Sequence, residues 1–373
     1  MNKTTMTVGE TVTGQALEVP VYTIGCDDDQ TPKCYIQASI HGAEVQGNLV
    51  IHHLMKALKT LEQAGHLKAH ITMVPFANPI GMNNKNVDYT SGRFDPVTGD
   101  NWNRLYFDHR FDYDALAKQY QGQSTNDIKV DFRAKILANL TAKRQQPQGL
   151  PTGQHMTLAL QNLAHTADYI LDLHTGPQSC RHLYAASYAL ESAKKLPIRH
   201  ILSIPNAFDG ALDEASFVPW WSLSEALAKL GEAHDFGIEA FTLELGSQER
   251  LNSADAIADC HGILAWMEHK GLITKRLDSQ QNVGEEGRAE SIIHDLSDYI
   301  TLYSPIGGLV EFFVKPGDAI KKDQHIATIL NPNALGQEEA EYKILTPSNG
   351  YLILHFDSAS LFKGAELYKM VKC

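Results

Sequence analysis

The segment from Lys33 to Pro79 limits the fold more than any other part of the chain. "KCYIQASI" is a short, β-rich apolar run. The stretch "EVQGNLVIHHLMKALKTLEQAG" then spaces its apolar residues as a helix does and stops at Gly65. "HITMVPFANP" returns to a strand pattern and ends at Pro79. Strand, helix and strand in that order predict an α/β protein with helices covering a central sheet.

The pattern continues downstream. Residues 80–104, "IGMNNKNVDYTSGRFDPVTGDNWNR", hold no periodic element. A long polar loop after a strand is where such folds keep binding residues. Residues 105–165 read mostly as helix, "ADYILDLHTG", "RHILSIPNA" and "FGIEAFTLELG" as strands, and "SADAIADCHGILAWMEHKG" as an amphipathic helix. "KRLDSQQNVGEEGRAE" has no apolar stripe and reads as a linker, and short β-rich runs with turn signals follow it. The expected division is residues 1–288 and residues 289–373. A chain of 373 residues suffices for two such units.

Charge and cysteine content narrow the function classes. With 32 Lys plus Arg against 44 Asp plus Glu, the net charge of -12 argues against a nucleic-acid or anionic-membrane partner. The apolar runs are too short for a membrane span, and "MNKTTMTVGETVTGQ" has no apolar core for a signal peptide. Five scattered cysteines without CxxC spacing are expected as reduced thiols in a cytoplasmic protein.

In "ASIHGAEVQGN", His41 and Glu44 stand three residues apart where a strand gives way to a helix, so both can face one point above the strand end. A catalytic zinc takes three such protein ligands and keeps one position open. His174, ending the strand "YILDLH", is the best third ligand. Alternation puts Ile170, Asp172 and His174 on one strand face, with Asp172 as a candidate orienting carboxylate. In "FTLELG", Phe241, Leu243 and Leu245 take one face and Thr242 and Glu244 the other. A carboxylate within an apolar strand needs a nearby cation, and one close to zinc can serve as general base.

"HGAE", the "NR" of "NWNRLY", "DLHTG" and "TLELG" together resemble the succinylglutamate desuccinylase/aspartoacylase family, itself similar to the zinc carboxypeptidases. The resemblance covers roughly residues 20–270. It implies a carboxypeptidase-like mixed sheet flanked by helices and one zinc per chain on His41, Glu44 and His174. It further implies Glu244 as catalytic base, Arg93 polarising the scissile carbonyl, and Asn103 with Arg104 holding a substrate carboxylate. "FDPVTGDNW" makes the interval from Arg93 to Arg104 longer than the family pattern. The activity implied is hydrolysis of the amide bond of a small N-acyl amino acid. A metallo-carboxypeptidase acting on short peptides, an esterase and a non-catalytic zinc-binding protein remain as alternatives. A homo-oligomer is compatible with the sequence.

Other features have plainer explanations. Arg181 is a candidate contact for the acyl part of the substrate, as is His182. His52, His53, Trp220 and Trp221 read as packing or pocket-wall residues, and "CDDDQ" as a solvated turn. The C-terminal runs "SPIGGLVEFFVKPGDAIKKDQHIATI" and "LTPSNGYLI" resemble a biotinyl/lipoyl-like barrel, but "LNPNALGQEE" has no lysine at the place a carrier keeps one. The C-terminal unit is therefore expected to be a β-domain that shapes structure or pocket and carries no prosthetic group.

Overall fold

The computed structural model describes residues 1–28, 30–277 and 290–373. The expected unit boundary at residue 288 and most of the linker lie outside the described residues. The first half of the chain runs β1 (Asn2–Glu10), β2 (Ala16–Ile24), β3 (Lys33–Ala38), α1 (Gln46–Gln63), β4 (His70–Val74) and α2 (Pro79–Asn83). The hairpin β5 (Lys85–Asn86) and β6 (Tyr89–Thr90) follows, then α3 (Tyr113–Tyr120), α4 (Thr125–Arg144) and α5 (Thr152–Ala164). Next come β7 (Tyr169–Gly176), β8 (Gln178–Ser179), β9 (Arg181–Ala186), α6 (Leu190–Ala193), β10 (His200–Ile204), α7 (Leu212–Lys229), β11 (Glu239–Ser247) and α8 (Ser253–His269).

Among the described residues, one sheet of nine strands has the order β1-β2-β4-β3-β7-β11-β9-β10, closed by β12 (Ile292–Asp295). Strands β4, β3, β7 and β11 are parallel, whereas β9 runs antiparallel to β11. The fold is therefore a mixed α/β sheet, as expected. Alternation sorts the side chains. Ile36, Leu171, Leu173, Phe241, Leu243 and Leu245 join a core with α1 and α8, while Tyr35 and Ile170 face a second core with α4, α5 and α7. Polar Gln37, Asp172, His174, Thr242 and Glu244 fall on the second face by parity. The carboxyl ends of β3, β7 and β11 thus bring a polar group together above an apolar sheet, the usual location for a ligand in open α/β sheets.

Residues 208–235, given no element from sequence, contain the eighteen-residue helix α7. Pro219 lies inside it, and an interior proline removes a helix hydrogen bond. Burial of Phe217, Trp220, Leu223 and Leu227 compensates that loss through packing.

The C-terminal strands form two smaller antiparallel sheets. The first contains β13 (Tyr299–Tyr303), β20 (Glu366–Lys372), β18 (Gly350–His355) and β15 (Ala319–Ile320). The second contains β17 (Glu341–Leu345), β16 (His325–Leu330), β14 (Gly308–Phe312) and β19 (Ser360–Leu361). They enclose Ile326, Ile329, Leu352, Tyr368 and Met370. Strand β8, just after β7, pairs with β18, so the sheet system and the C-terminal strands share hydrogen bonds.

Gly42 owes its place to a close backbone crossing. A Cβ there would lie 2.2 Å from the Gly81 carbonyl, and one on Gly92 would lie 2.3 Å from the Gly81 oxygen. The Gly42 N–H donates to the Gly92 oxygen at 2.8 Å, which locks the His41–Glu44 turn to the loop carrying Arg93. Overpacking of this kind costs roughly 1–3 kcal/mol. Gly42→Ala is therefore expected to lower the urea-unfolding free energy by about that amount. Wild-type stability in that variant would show that the crossing has slack.

Candidate active site

Strand β3 ends at Ala38, and the chain turns through Ser39, a non-glycine residue in the left-handed region at φ 62°. Its hydroxyl compensates that strain by donating to the Glu44 carbonyl oxygen at 3.0 Å and contacting Asn48 Oδ1 at 2.7 Å. His41 and Glu44 follow in this turn, both buried. His174, also buried, sits near the end of β7. One donor atom from each of the three lies within 4.8 Å of the others.

Glu44 is the centre of the group. Its Oε1 is 2.9 Å from His41 Nδ1 and 3.3 Å from Arg93 Nη1. Its Oε2 is 2.9 Å from His174 Nδ1 and accepts the Thr175 N–H at 3.1 Å. Burial by itself would raise the Glu44 carboxyl, yet His41 and His174 hold it well below the usual carboxylate range. For His174, burial opposes the charge, but Asp172 and then Glu44 carry its pKa well above the ordinary histidine value. For His41, burial outweighs Glu44 and lowers the pKa.

The outer ring nitrogens are also engaged. His41 Nε2 is 2.8 Å from Asn101 Oδ1, and His174 Nε2 forms an ion pair with Asp172 Oδ2 at 2.9 Å. Asp172 is held in turn by Gln37, whose amide donates to Oδ1 at 2.9 Å and to the Tyr106 hydroxyl oxygen at 3.0 Å. Gln37 Oε1 accepts from the Tyr35 hydroxyl at 2.9 Å. This leaves both Nδ1 atoms facing one buried carboxylate. Two imidazole nitrogens and a carboxylate oxygen, with the far nitrogens tied to oxygen acceptors, are the donor set and support that zinc takes. The residues fit a metal ion.

Glu244 lies beside His174 in the β7–β11 register. Burial, with Glu44 adding its charge, pushes its pKa up to about 7 against the pull of His174 and Arg93. Glu244 Oε2 is buried without a hydrogen-bond partner, as is Asn103 Oδ1. Glu249, five residues further along in "ELGSQE", instead accepts the Thr90 N–H at 2.8 Å, and its own N–H donates to the Ala43 oxygen.

The long interval between Arg93 and Arg104 closes on itself. Phe94 bridges Asn101, and the Asp95 N–H donates to the Asp100 oxygen at 2.8 Å. The extra residues form a turn that returns the chain, so Arg93 and the Trp102–Arg104 turn stand side by side. Arg104 is about half exposed, with Nη1 donating to the Asn103 oxygen at 2.7 Å. It fronts a cavity of about 520 Å³ shared with Phe107, Arg110, Lys143 and Phe208.

Arg181 is placed elsewhere. It pairs in register with Leu245, whose side chain lies in the α1/α8 core, so it belongs to the sheet face opposite Glu244. Its guanidinium forms ion pairs with Asp255 at 3.0 Å and Asp259 at 2.9 Å, both on α8. The expected contact with substrate is not supported. His182 is buried, with Nδ1 at 3.1 Å from the Cys180 oxygen. Asn101, Gln37, Tyr35 and Tyr106 were not expected in the site, because their roles depend on tertiary contacts with no local motif.

The family model for the succinylglutamate desuccinylase/aspartoacylase catalytic domain matches residues 30–270. A solved protein of this family from Shewanella frigidimarina is 40% identical, with a TM-score of 0.93, and the match covers 100% of this chain and 97% of that one. One from Shewanella amazonensis is 39% identical with a TM-score of 0.92, covering 100% of this chain and 98% of that one. A Rhodobacter sphaeroides succinylglutamate desuccinylase/aspartoacylase shares the fold at 16% identity and a TM-score of 0.65, covering 96% of this chain and 90% of that one. No curated protein matches the sequence. The chain belongs to the succinylglutamate desuccinylase/aspartoacylase family.

The Arg181 assignment has its own test. Arg181→Ala leaves Asp259 buried without its cation, a loss of roughly 1–3 kcal/mol. Unfolding stability is expected to fall by that amount while KM stays within a few-fold of wild type. A large rise in KM with unchanged stability would return Arg181 to the substrate pocket.

Proposed function

We propose that this member of the succinylglutamate desuccinylase/aspartoacylase family is a zinc-dependent amidohydrolase acting on small N-acyl amino acids. The buried convergence of His41, Glu44 and His174 beside Glu244 is the observation that carries this reading. His41 and His174 would hold the ion through Nδ1, and Glu44 through its carboxylate. Zinc in such a site acidifies water and polarises a carbonyl.

Glu244 is the general base. A carboxyl that burial raises to about 7 is well matched to accepting a proton from water near neutral pH and passing it to the departing amine. Its unpartnered Oε2 leaves room for that contact. Arg93, within reach of the same group, stabilises the charge that develops on the scissile carbonyl oxygen. Asn103 and Arg104 bind the free carboxylate, for which the guanidinium fork is well shaped.

In this reading residues 1–288 form the hydrolase unit. Residues 289–373 form a biotinyl/lipoyl-like half-barrel that serves structure, with β12 laid along the edge of the hydrolase sheet. The five free thiols and net negative charge suit a cytoplasmic enzyme with a small-molecule substrate.

Assays of zinc-loaded protein on N-acetyl, N-succinyl and N-formyl amino acids, each free and carboxyl-amidated, test the proposal together with Glu244→Gln. Hydrolysis of the free acids is expected, with the amidated forms poor substrates. The Gln variant should lose roughly 10²–10⁴-fold in kcat. Activity of Glu244→Gln within a few-fold of wild type would exclude Glu244 as the base, and equal turnover of the amidated forms would exclude the carboxylate anchor.

A further inference from the structure

The Asn101 amide oxygen receives two contacts. The Asn103 N–H donates to it at 2.9 Å, and His41 Nε2 lies 2.8 Å away. A backbone N–H can only donate, so the atom facing it is the amide oxygen. His41 must then carry its proton on Nε2, which leaves the Nδ1 lone pair on the Glu44 side.

The backbone of Asn101 is fixed as well. Its carbonyl accepts the Arg104 N–H at 2.9 Å, its neighbour Trp102 donates to the Arg93 oxygen at 3.4 Å, and Asn101 itself bridges Phe94. The side chain cannot leave His41 without also uncapping the turn that carries Asn103 and Arg104. Four residues assigned to metal or substrate therefore meet at one side chain or its immediate backbone.

We propose that Asn101 is a positioning residue that ties His41 to the Asn103–Arg104 turn, so that metal binding and carboxylate binding strengthen each other. This rests on the metal reading of His41, Glu44 and His174. Such linkage is reciprocal: whatever factor a bound carboxylate contributes to zinc affinity, zinc contributes to carboxylate affinity.

Zinc affinity, measured by chelator competition with and without saturating propionate, tests this in wild type, Asn101→Ala and Asn101→Asp. Wild type should bind zinc at least about fivefold more tightly with propionate present. Asn101→Ala should bind zinc roughly 10–100-fold more weakly and show no propionate effect. Asn101→Asp keeps an oxygen acceptor for both donors and should restore zinc affinity and the propionate effect to within a few-fold of wild type. Melting curves of the zinc-free proteins separate this pattern from a general loss of stability. Wild-type zinc affinity in Asn101→Ala, or a propionate effect that survives there, would overturn the proposal, as would wild-type affinity that ignores propionate. Failure of wild type itself to bind zinc would instead overturn the metal reading beneath it.

Discussion

The site depends on a buried negative charge at Glu44. A carboxylate removed from water is costly unless cations and hydrogen-bond donors surround it. Here His174, Arg93 and the Thr175 N–H supply them. Glu44 itself sits in the turn after β3, and those partners come from the end of β7 and the loop after β6, so the charge fixes three separate segments to one point. Loss of any one partner leaves the same carboxylate undercompensated, which is why the glycine crossing at Gly42, Gly81 and Gly92 matters for chemistry as well as for packing.

The C-terminal strands take part in this arrangement. Strand β8 follows the His174 strand directly and pairs with β18, while the Cys180 N–H donates to the Ile353 oxygen. The Ser179 N–H donates to Ser247 Oγ at the end of the Glu244 strand. The strand of His174, the strand of Glu244 and the C-terminal sheet are therefore joined within a few residues. Hydrogen bonds from β18 to the segment after β7, and from that segment to Ser247, link these two strand ends.

Much of this was legible in the sequence because strand alternation is strictly local. The parity of "YILDLH" and "FTLELG" placed Asp172, His174 and Glu244 opposite Leu171, Leu173, Leu243 and Leu245, and the structure keeps that sorting. Arg181 was not legible, since its face depends on which residue of β11 it opposes, a matter of register between strands. Asn101 carries no motif; its importance arises when a turn returns it beside His41. That same turn accounts for the long interval before Arg104, which from sequence alone reads as a departure. Helix α7 was hidden by Pro219, a strong local breaker that buried aromatic packing overrides.

Elemental analysis of purified protein tests the centre of this picture most directly. One zinc per chain is required in the wild type, with Glu244→Gln retaining it, because the base is not a ligand. His174→Ala removes one of three donors and must lose most of the metal while remaining folded by circular dichroism. Full zinc content in folded His174→Ala, or none in the wild type after loading, would contradict the assignment of His41, Glu44 and His174 as the metal site.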